Sequence, residues 1–154
     1  MQIAVVAVGR LRPFFREACD EYLRRLRRFA TATEHEVREA SRASSVATAR
    51  RQEAKQLRAQ LPAGATVVAL ARNGEGWSSS ELARRLDGWR TAARPVAFII
   101  GGSHGLDDSL PGGAGTRWSL GPLTLPHELA RVVVLEQIYR AWTILAGQPY
   151  HKGR

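Results

Sequence analysis

Apolar residues in this chain form short uninterrupted runs that alternate with longer amphipathic segments. The runs at 3–8, 66–70 and 96–100 are rich in β-branched residues and do not alternate strictly, which is typical of strands buried on both faces of a parallel sheet. A weaker run at 33–38 predicts a further strand. Because strands and helical segments alternate, we expect a single α/β domain with a mainly parallel sheet flanked by helices.

Helical spacing of apolar residues predicts three helices between these strands. Pro13 suits the first turn of a helix, and the second helix spans about 46–61. Ser78 and Glu81 have the spacing of a capping box, which predicts a third helix that runs to about Trp89. The second helix is poor in large apolar residues, so it is expected to lie on the outside of the domain.

A fourth helix is predicted to begin at Pro126 and to carry a continuous apolar stripe. The stripe consists of Leu129, Val132, Leu135, Ile138, Trp142 and Leu145. Val133, Val134 and Tyr139 widen it beyond the needs of one packed face. This excess favours an interface with a second copy of the chain.

Length and cysteine content restrict the class of protein. The 154 residues suit one domain, expected to span 1–154. The single Cys19 has no partner for a disulfide or at metal-ligand spacing, which favours a reducing cytoplasm and no metal site. No apolar run approaches the roughly 20 residues of a membrane span, so a soluble protein without a membrane partner is expected.

The charge balance favours a nucleic-acid partner. The formal net charge is +9, from 23 Lys and Arg against 14 Asp and Glu, and all but two of the cations are Arg, which binds phosphate with a planar fork. The region from Arg10 to Arg28 holds the densest basic cluster, which we interpret as a phosphate-facing surface. A solvated helix face, or an Arg-rich composition imposed by a GC-rich genome, remains the alternative.

Two loops that follow short apolar strands are predicted to form the walls of one pocket. The first, 101–105, follows strand 96–100, and its glycines permit close approach of a ligand to the backbone. The second, 120–125, is apolar yet interrupted by Gly121 and Pro122. A third glycine-containing segment, 72–76, is predicted to be a turn at a strand end. His104 in the first loop is an ordinary exposed loop histidine by default.

The C-terminal segment 147–154 combines an aromatic ring, an imidazole and cations. Tyr150 can stack on a base, His151 can accept a proton near neutral pH, and Lys152 and Arg154 can bind phosphate. A frayed terminus without function is the alternative.

Over essentially its whole length the chain resembles the RlmH family, SPOUT-class methyltransferases that act on a pseudouridine of large-subunit ribosomal RNA. The matching segments are Ala7-Val8-Gly9, Glu21-Tyr22, Ile100-Gly101-Gly102, Leu123-Thr124-Leu125-Pro126-His127, Arg131-Val132, Glu136-Gln137-Ile138-Tyr139-Arg140-Ala141 and Pro149-Tyr150-His151-Lys152. The glycine-rich insertion at 111–115 and the extension Gly153-Arg154 depart from the family pattern.

The resemblance implies a SPOUT α/β knot, a homodimer and S-adenosylmethionine as cofactor. The deep trefoil knot and the cofactor pocket would occupy about 96–146, and 147–154 would be a flexible tail on the substrate side. The implied cofactor contacts are Leu70, Gly101, Leu120, Gly121, Pro122, Leu123, Thr124 and Leu125.

The resemblance also implies methylation at N3 of a pseudouridine in 23S ribosomal RNA within the assembled ribosome, without a metal ion. His151 is the first candidate for handling the N3 proton, with Tyr150 stacking on the base and Arg131 or Arg140 binding phosphate or polarising the base. Two alternatives stay open: a related SPOUT methyltransferase of transfer RNA, and a non-catalytic factor that binds the ribosome.

Overall fold

Five parallel strands form one sheet in the computed structural model, which describes residues 1–113 and 115–152, with His151 described by its backbone alone. The strands are β1 (Gln2–Val8), β2 (Thr31–Val37), β3 (Thr66–Gly76), β4 (Val96–Ile100) and β5 (Thr116–Ser119). Their order across the sheet is β2-β1-β4-β3-β5. This arrangement confirms the predicted parallel α/β fold, whereas the trefoil knot stays a prediction.

Four α-helices cover the two faces of the sheet. They are α1 (Pro13–Leu26), α2 (Val46–Ala59), α3 (Ser79–Thr91) and α4 (His127–Leu145), and a short 3-10 helix follows at Pro149–Lys152. Helices α1, α3 and α4 pack on the face that presents Ile3, Val5 and Phe98. Helix α2 packs on the opposite face, where Ala54 and Leu57 contact the core. The predicted capping box at the start of α3 is confirmed, because Ser78 and Glu81 each accept the other's backbone N–H.

Strand β3 continues through the segment predicted to be a turn, so the prediction of a turn at 72–76 is wrong. Trp118 of β5 pairs first with Leu70 and then with Glu75, which leaves a bulge between those two residues. A Cβ atom at Gly74 would lie 2.6 Å from the carbonyl carbon of Arg117. The glycine therefore permits close pairing of two strands, a tertiary requirement that the local sequence does not distinguish from a turn.

Helix α4 is buried on more than one side within its own chain. Val134 is fully buried and Tyr139 is 8% exposed, and both belong to the core cluster that also holds residues of α1 and α3. The wide apolar surface of α4 is therefore largely explained by packing within one chain. Pro126 is the residue that precedes the first turn of α4 and not the first helical residue, a difference of one position.

Candidate functional site

A cleft opens at the carboxyl ends of β3, β4 and β5, beside the first turn of α4. Its lining residues are Leu70, Ala71, Arg72, Ile100, Gly101, Gly102, Gly105, Ser119, Leu120, Gly121, Leu123, Thr124, Leu125, His127 and Ala130. The structure thus brings together every cofactor residue implied by the resemblance except Pro122, which is not among the lining residues. The cleft has a volume of about 150 Å³, which is smaller than the roughly 300–1,000 Å³ of typical small-molecule sites.

The first wall of the cleft is the loop at 101–105, which folds back on itself. Gly102 and Gly105 form an antiparallel bridge, and a Cβ atom at Gly101 would lie 2.6 Å from the carbonyl carbon of Gly105. Two hydrogen bonds with residues elsewhere in the chain also hold this loop in place. Ser103 Oγ donates to Glu39 over 2.7 Å, and Arg50 Nε donates to the carbonyl oxygen of His104 over 2.7 Å.

The second wall is the loop at 120–125, whose backbone faces the cleft with few internal bonds. Gly121 has a φ of +112° and donates its N–H to Ser119 Oγ over 3.1 Å. Within residues 1–113 and 115–152, the peptide N–H groups of Leu123, Thr124 and Leu125 donate to no protein acceptor. Leu123 is 76% exposed at the rim. These features leave apolar surface and backbone donors available to a ligand.

The first turn of α4 is fixed to the loop that follows β1. The Glu128 carboxylate accepts two hydrogen bonds from Arg12, one from the backbone N–H over 2.9 Å and one from the side-chain Nε over 3.2 Å. These contacts, chiefly the backbone hydrogen bond, lower the pKa of Glu128. His127 lines the cleft immediately before this anchor. The positive end of the α4 dipole therefore lies at the cleft in a fixed position.

Arg131, expected to contact a phosphate or the target base, is buried in the chain. Its side chain is 1% exposed, and it donates to Glu36 over 2.7 Å and to the carbonyl oxygen of Gly9 over 2.8 Å. A contact with RNA requires an accessible guanidinium, which Arg131 does not offer in this structure. Its contacts instead tie α4 to the carboxyl end of β1. Sequence reasoning missed this role because arginine is rarely buried.

Arg140 and Tyr150 lie together at the other end of α4. Arg140 Nη2 is 2.6 Å from Glu136 Oε1, and the Tyr150 hydroxyl donates to the same oxygen over 3.0 Å. The Tyr150 ring packs edge-on against Tyr139, with 4.8 Å between ring centroids. Burial, followed by hydrogen bonding to Tyr22 and Glu136, raises the pKa of Tyr150, while Glu136 raises the pKa of Arg140.

Arg131, Arg140 and Tyr150 are not among the residues that line the cleft of their own chain. Ala130 lines the cleft and Arg140 lies ten residues later on the same helix, which corresponds to about 15 Å along the axis. His151 follows Tyr150 in the 3-10 helix, and its side chain lies outside the described residues, as does Arg154. One chain therefore holds two separated groups of candidate residues.

The basic surface predicted on α1 is largely paired with carboxylates. Arg16 binds Asp20 and Glu34, and both Arg24 and Arg25 bind Glu21. Paired guanidinium groups attract phosphate less strongly than their number implies. Arg10, Arg27 and Arg28 have no carboxylate within 4.0 Å among the described residues. These three arginines are the part of the predicted phosphate-facing surface that remains available to RNA.

The described part of the chain contains neither a cluster of metal ligands nor a membrane-spanning helix. Across residues 1–113 and 115–152, no three His, Cys, Asp or Glu side chains cluster where they could hold a metal ion. No helix in the same part of the chain is both long and apolar enough to cross a membrane.

Comparison with known proteins gives consistent matches along the whole chain. A family model described as "Predicted SPOUT methyltransferase" matches residues 1–151. The chain is 43% identical to the protein named ribosomal RNA large subunit methyltransferase H of Pseudomonas aeruginosa, and equally to that of Chromohalobacter salexigens. The protein of the same name in Stutzerimonas stutzeri is 41% identical. Each alignment covers 99% of this chain and 100% of the relative.

Proposed function

The chain belongs to the SPOUT methyltransferase family, and from that premise we propose that it methylates large-subunit ribosomal RNA with S-adenosylmethionine as methyl donor. The proposed acceptor is N3 of a pseudouridine in 23S ribosomal RNA, reached within the assembled ribosome. The observation that carries the proposal is the cleft between the loops at 101–105 and 120–125. It gathers seven of the eight residues at which the resemblance implies cofactor contacts.

The residues of the cleft fit this cofactor chemically. The leucines at 120, 123 and 125 offer apolar surface for a heterocycle, and the unpaired peptide N–H groups at 123–125 offer donors for its edge. Gly101 and Gly121 allow the backbone to approach without a Cβ atom. Leu70, at the start of the bulge in β3, also lines the cleft.

The cofactor supplies an electrophilic methyl group, so the protein has to align the acceptor with it and assist loss of the N3 proton. We assign proton handling to His151 and base stacking to Tyr150. Arg140 is assigned to phosphate binding or to polarising the base. Glu136 holds Arg140 and Tyr150 in one orientation, because one of its carboxylate oxygens accepts three hydrogen bonds, two from Arg140 and one from Tyr150. Arg131 is a positioning residue in this scheme, because its guanidinium is buried.

We propose that the working enzyme is a homodimer. Arg140 lies about 15 Å along α4 from Ala130, which lines the cleft of the same chain, and neither Arg140 nor Tyr150 lines that cleft. A second copy that places its C-terminal segment at the cleft of the first would bring the two groups together. Phe14, at 59% exposure, and Leu129, at 36%, are apolar side chains that a partner could cover.

The proposal is tested by transfer of labelled methyl from S-adenosylmethionine to whole ribosomes, free large subunits, naked ribosomal RNA and transfer RNA. We expect label in whole ribosomes, on a nucleoside that mass spectrometry identifies as N3-methylpseudouridine. Label on transfer RNA would replace this proposal with a transfer-RNA methyltransferase. Cofactor binding without transfer to any of the four substrates would favour a non-catalytic ribosome-binding factor.

Replacement of His151 tests its assigned role in proton transfer. We expect His151→Ala to lower kcat by roughly 100-fold, because a positioned general base typically contributes that much or more. The acidic limb of the pH–rate profile should disappear with it, while the Kd for S-adenosylmethionine stays unchanged. His35→Ala, which removes an exposed imidazole from β2, is the matched control. A His151→Ala enzyme with wild-type turnover and pH profile would remove His151 from the mechanism.

A further inference from the structure

Arginines without a carboxylate partner are concentrated on one side of the molecule. Among the described residues, the arginines of α2 and of the strand ends near it have no Asp or Glu oxygen within 4.0 Å. They are Arg38, Arg42, Arg50, Arg51, Arg58, Arg72 and Arg117. The basic cluster of α1, in contrast, is mostly paired. Most of the unpaired arginines therefore lie on a different surface from the one with the most arginines in sequence.

Three of these arginines line a groove that is continuous with the cleft. Arg50, Arg72 and Arg117 face it from α2, β3 and β5 respectively. Groove and cleft share Leu70, Ala71, Arg72 and Gly105. Arg72 is exposed and lines both spaces, so an anion bound to it would lie at the edge of the proposed cofactor site.

The hydrogen bonds made by Arg50 and Arg117 leave their positive charge available to an anion. Arg50 Nε donates to the carbonyl oxygen of His104, and Arg117 Nη2 donates to the carbonyl oxygens of Asp108 and Leu110 over 2.8 and 3.1 Å. Such neutral acceptors orient a guanidinium without cancelling its charge.

Two carboxylates line the same groove. Asp107 accepts hydrogen bonds from Ser109 and lies near Arg58 and Arg51, and these contacts lower its pKa, the Ser109 bonds most. Asp108 is exposed at the rim. Three guanidinium groups therefore face two carboxylates, one of which has further arginines beside it. The groove keeps a net positive charge and suits a phosphodiester anion better than a neutral group.

We propose that this groove binds a backbone phosphate of the RNA substrate next to the target nucleotide, with Arg72 as the central contact and Arg50 and Arg117 beside it. The proposal rests on the proposed function, since it assumes that RNA is the substrate of the adjoining cleft. A phosphate held at Arg72 would fix the strand where it enters the cleft. It would also place RNA against Arg50, whose side chain is hydrogen-bonded to the loop at 101–105.

A charge series at Arg72 tests the subsite: Arg72→Lys, Arg72→Gln and Arg72→Glu. We measure ribosome binding at several salt concentrations, and separately KM and kcat for methyl transfer and the Kd for S-adenosylmethionine. Arg72→Gln should raise the ribosome Kd and KM about three- to tenfold and reduce the salt slope by roughly 0.7–0.9, the loss of one phosphate contact. Arg72→Glu should raise them further, and Arg72→Lys should retain most of the affinity.

Arg94→Gln is the matched control, because Arg94 is an exposed arginine beside Met1 and Pro95, at the opposite ends of the strands. If the Arg72 variants match Arg94→Gln in salt slope and KM, the subsite is overturned. Binding of inorganic phosphate that depends on Arg72, with unchanged ribosome affinity, would also overturn it and indicate a site for a free anion. An inactive wild-type enzyme whose ribosome binding still depends on Arg72 would refute the methyl-transfer proposal and retain the subsite.

Discussion

Replacement of Gly101 by alanine is expected to eliminate measurable methyl transfer by destroying the proposed cofactor site. The added Cβ atom would lie 2.6 Å from the carbonyl carbon and 2.8 Å from the carbonyl oxygen of Gly105, and both of these atoms belong to the backbone. A backbone cannot rotate away as a side chain does, so the loop at 101–105 has to move. Gly105 and Gly102 line the cleft, and the movement therefore changes its shape.

The measurement is the Kd for S-adenosylmethionine by titration calorimetry, followed by methyl transfer to ribosomes. We expect affinity to fall by at least about 100-fold, because overpacking of this kind commonly costs about 1–3 kcal/mol and a backbone clash lies at the upper end. Gly88→Ala is the control, since Gly88 lies inside α3 with no atom within 4 Å of the added Cβ atom. That variant should bind normally and be slightly more stable.

A second variant separates loss of the site from loss of the fold. Leu123 is 76% exposed, so Leu123→Ala removes apolar surface from the cleft without disturbing the core. It should weaken cofactor binding while thermal unfolding stays as in the wild type. Wild-type affinity in both Gly101→Ala and Leu123→Ala would show that the cofactor binds elsewhere.

The positions of most strands and of the two loops that line the cleft could be predicted from sequence because their determinants are local. Uninterrupted β-branched runs identify buried parallel strands, and glycine-rich segments directly after them mark the edge where such sheets bind ligands. The Ser78–Glu81 pair is likewise a local signal, since both hydrogen bonds join residues three positions apart. For these elements local preference and tertiary structure agree.

Other features depend on contacts between distant residues and were not predictable. The β3 strand passes through Asn73 and Gly74 because Trp118 pairs beyond the bulge. The burial of Arg131 depends on Glu36, 95 residues earlier in the chain. The groove at Arg72 depends on which arginines find carboxylates, and a count of charges along the sequence contains no such information.

Arg131→Met is expected to cost about 3–5 kcal/mol of unfolding free energy, the typical loss when one partner of a buried ion pair is removed. The guanidinium is 1% exposed and contacts Glu36 over 2.7 Å and Glu34 over 3.7 Å. It also donates to the carbonyl oxygens of Val8 and Gly9, at the carboxyl end of β1. Methionine fills much of the volume but leaves these acceptors without their donor.

The size of this effect is set by burial, and an exposed pair on α1 provides the comparison. Arg24 is 65% exposed and lies 2.8 Å from Glu21, so Arg24→Met should cost less than about 1 kcal/mol. Denaturant unfolding of both variants measures the difference directly. In thermal unfolding, Arg131→Met should lower Tm by roughly 10 °C, given about 2–4 °C per kcal/mol for a chain of this size.

The position of Arg131 also predicts how its loss acts on the site. Its contacts join α4 to β1 one turn after His127 and Glu128, which lie at the cleft and at the Arg12 anchor. Arg131→Met should therefore weaken cofactor binding even at temperatures where the variant is folded. If its stability loss equalled that of Arg24→Met and its cofactor Kd were unchanged, the buried guanidinium would not be holding the helix to the sheet. Arg131 would then return as a candidate for direct contact with RNA, exposed by a rearrangement of this end of α4.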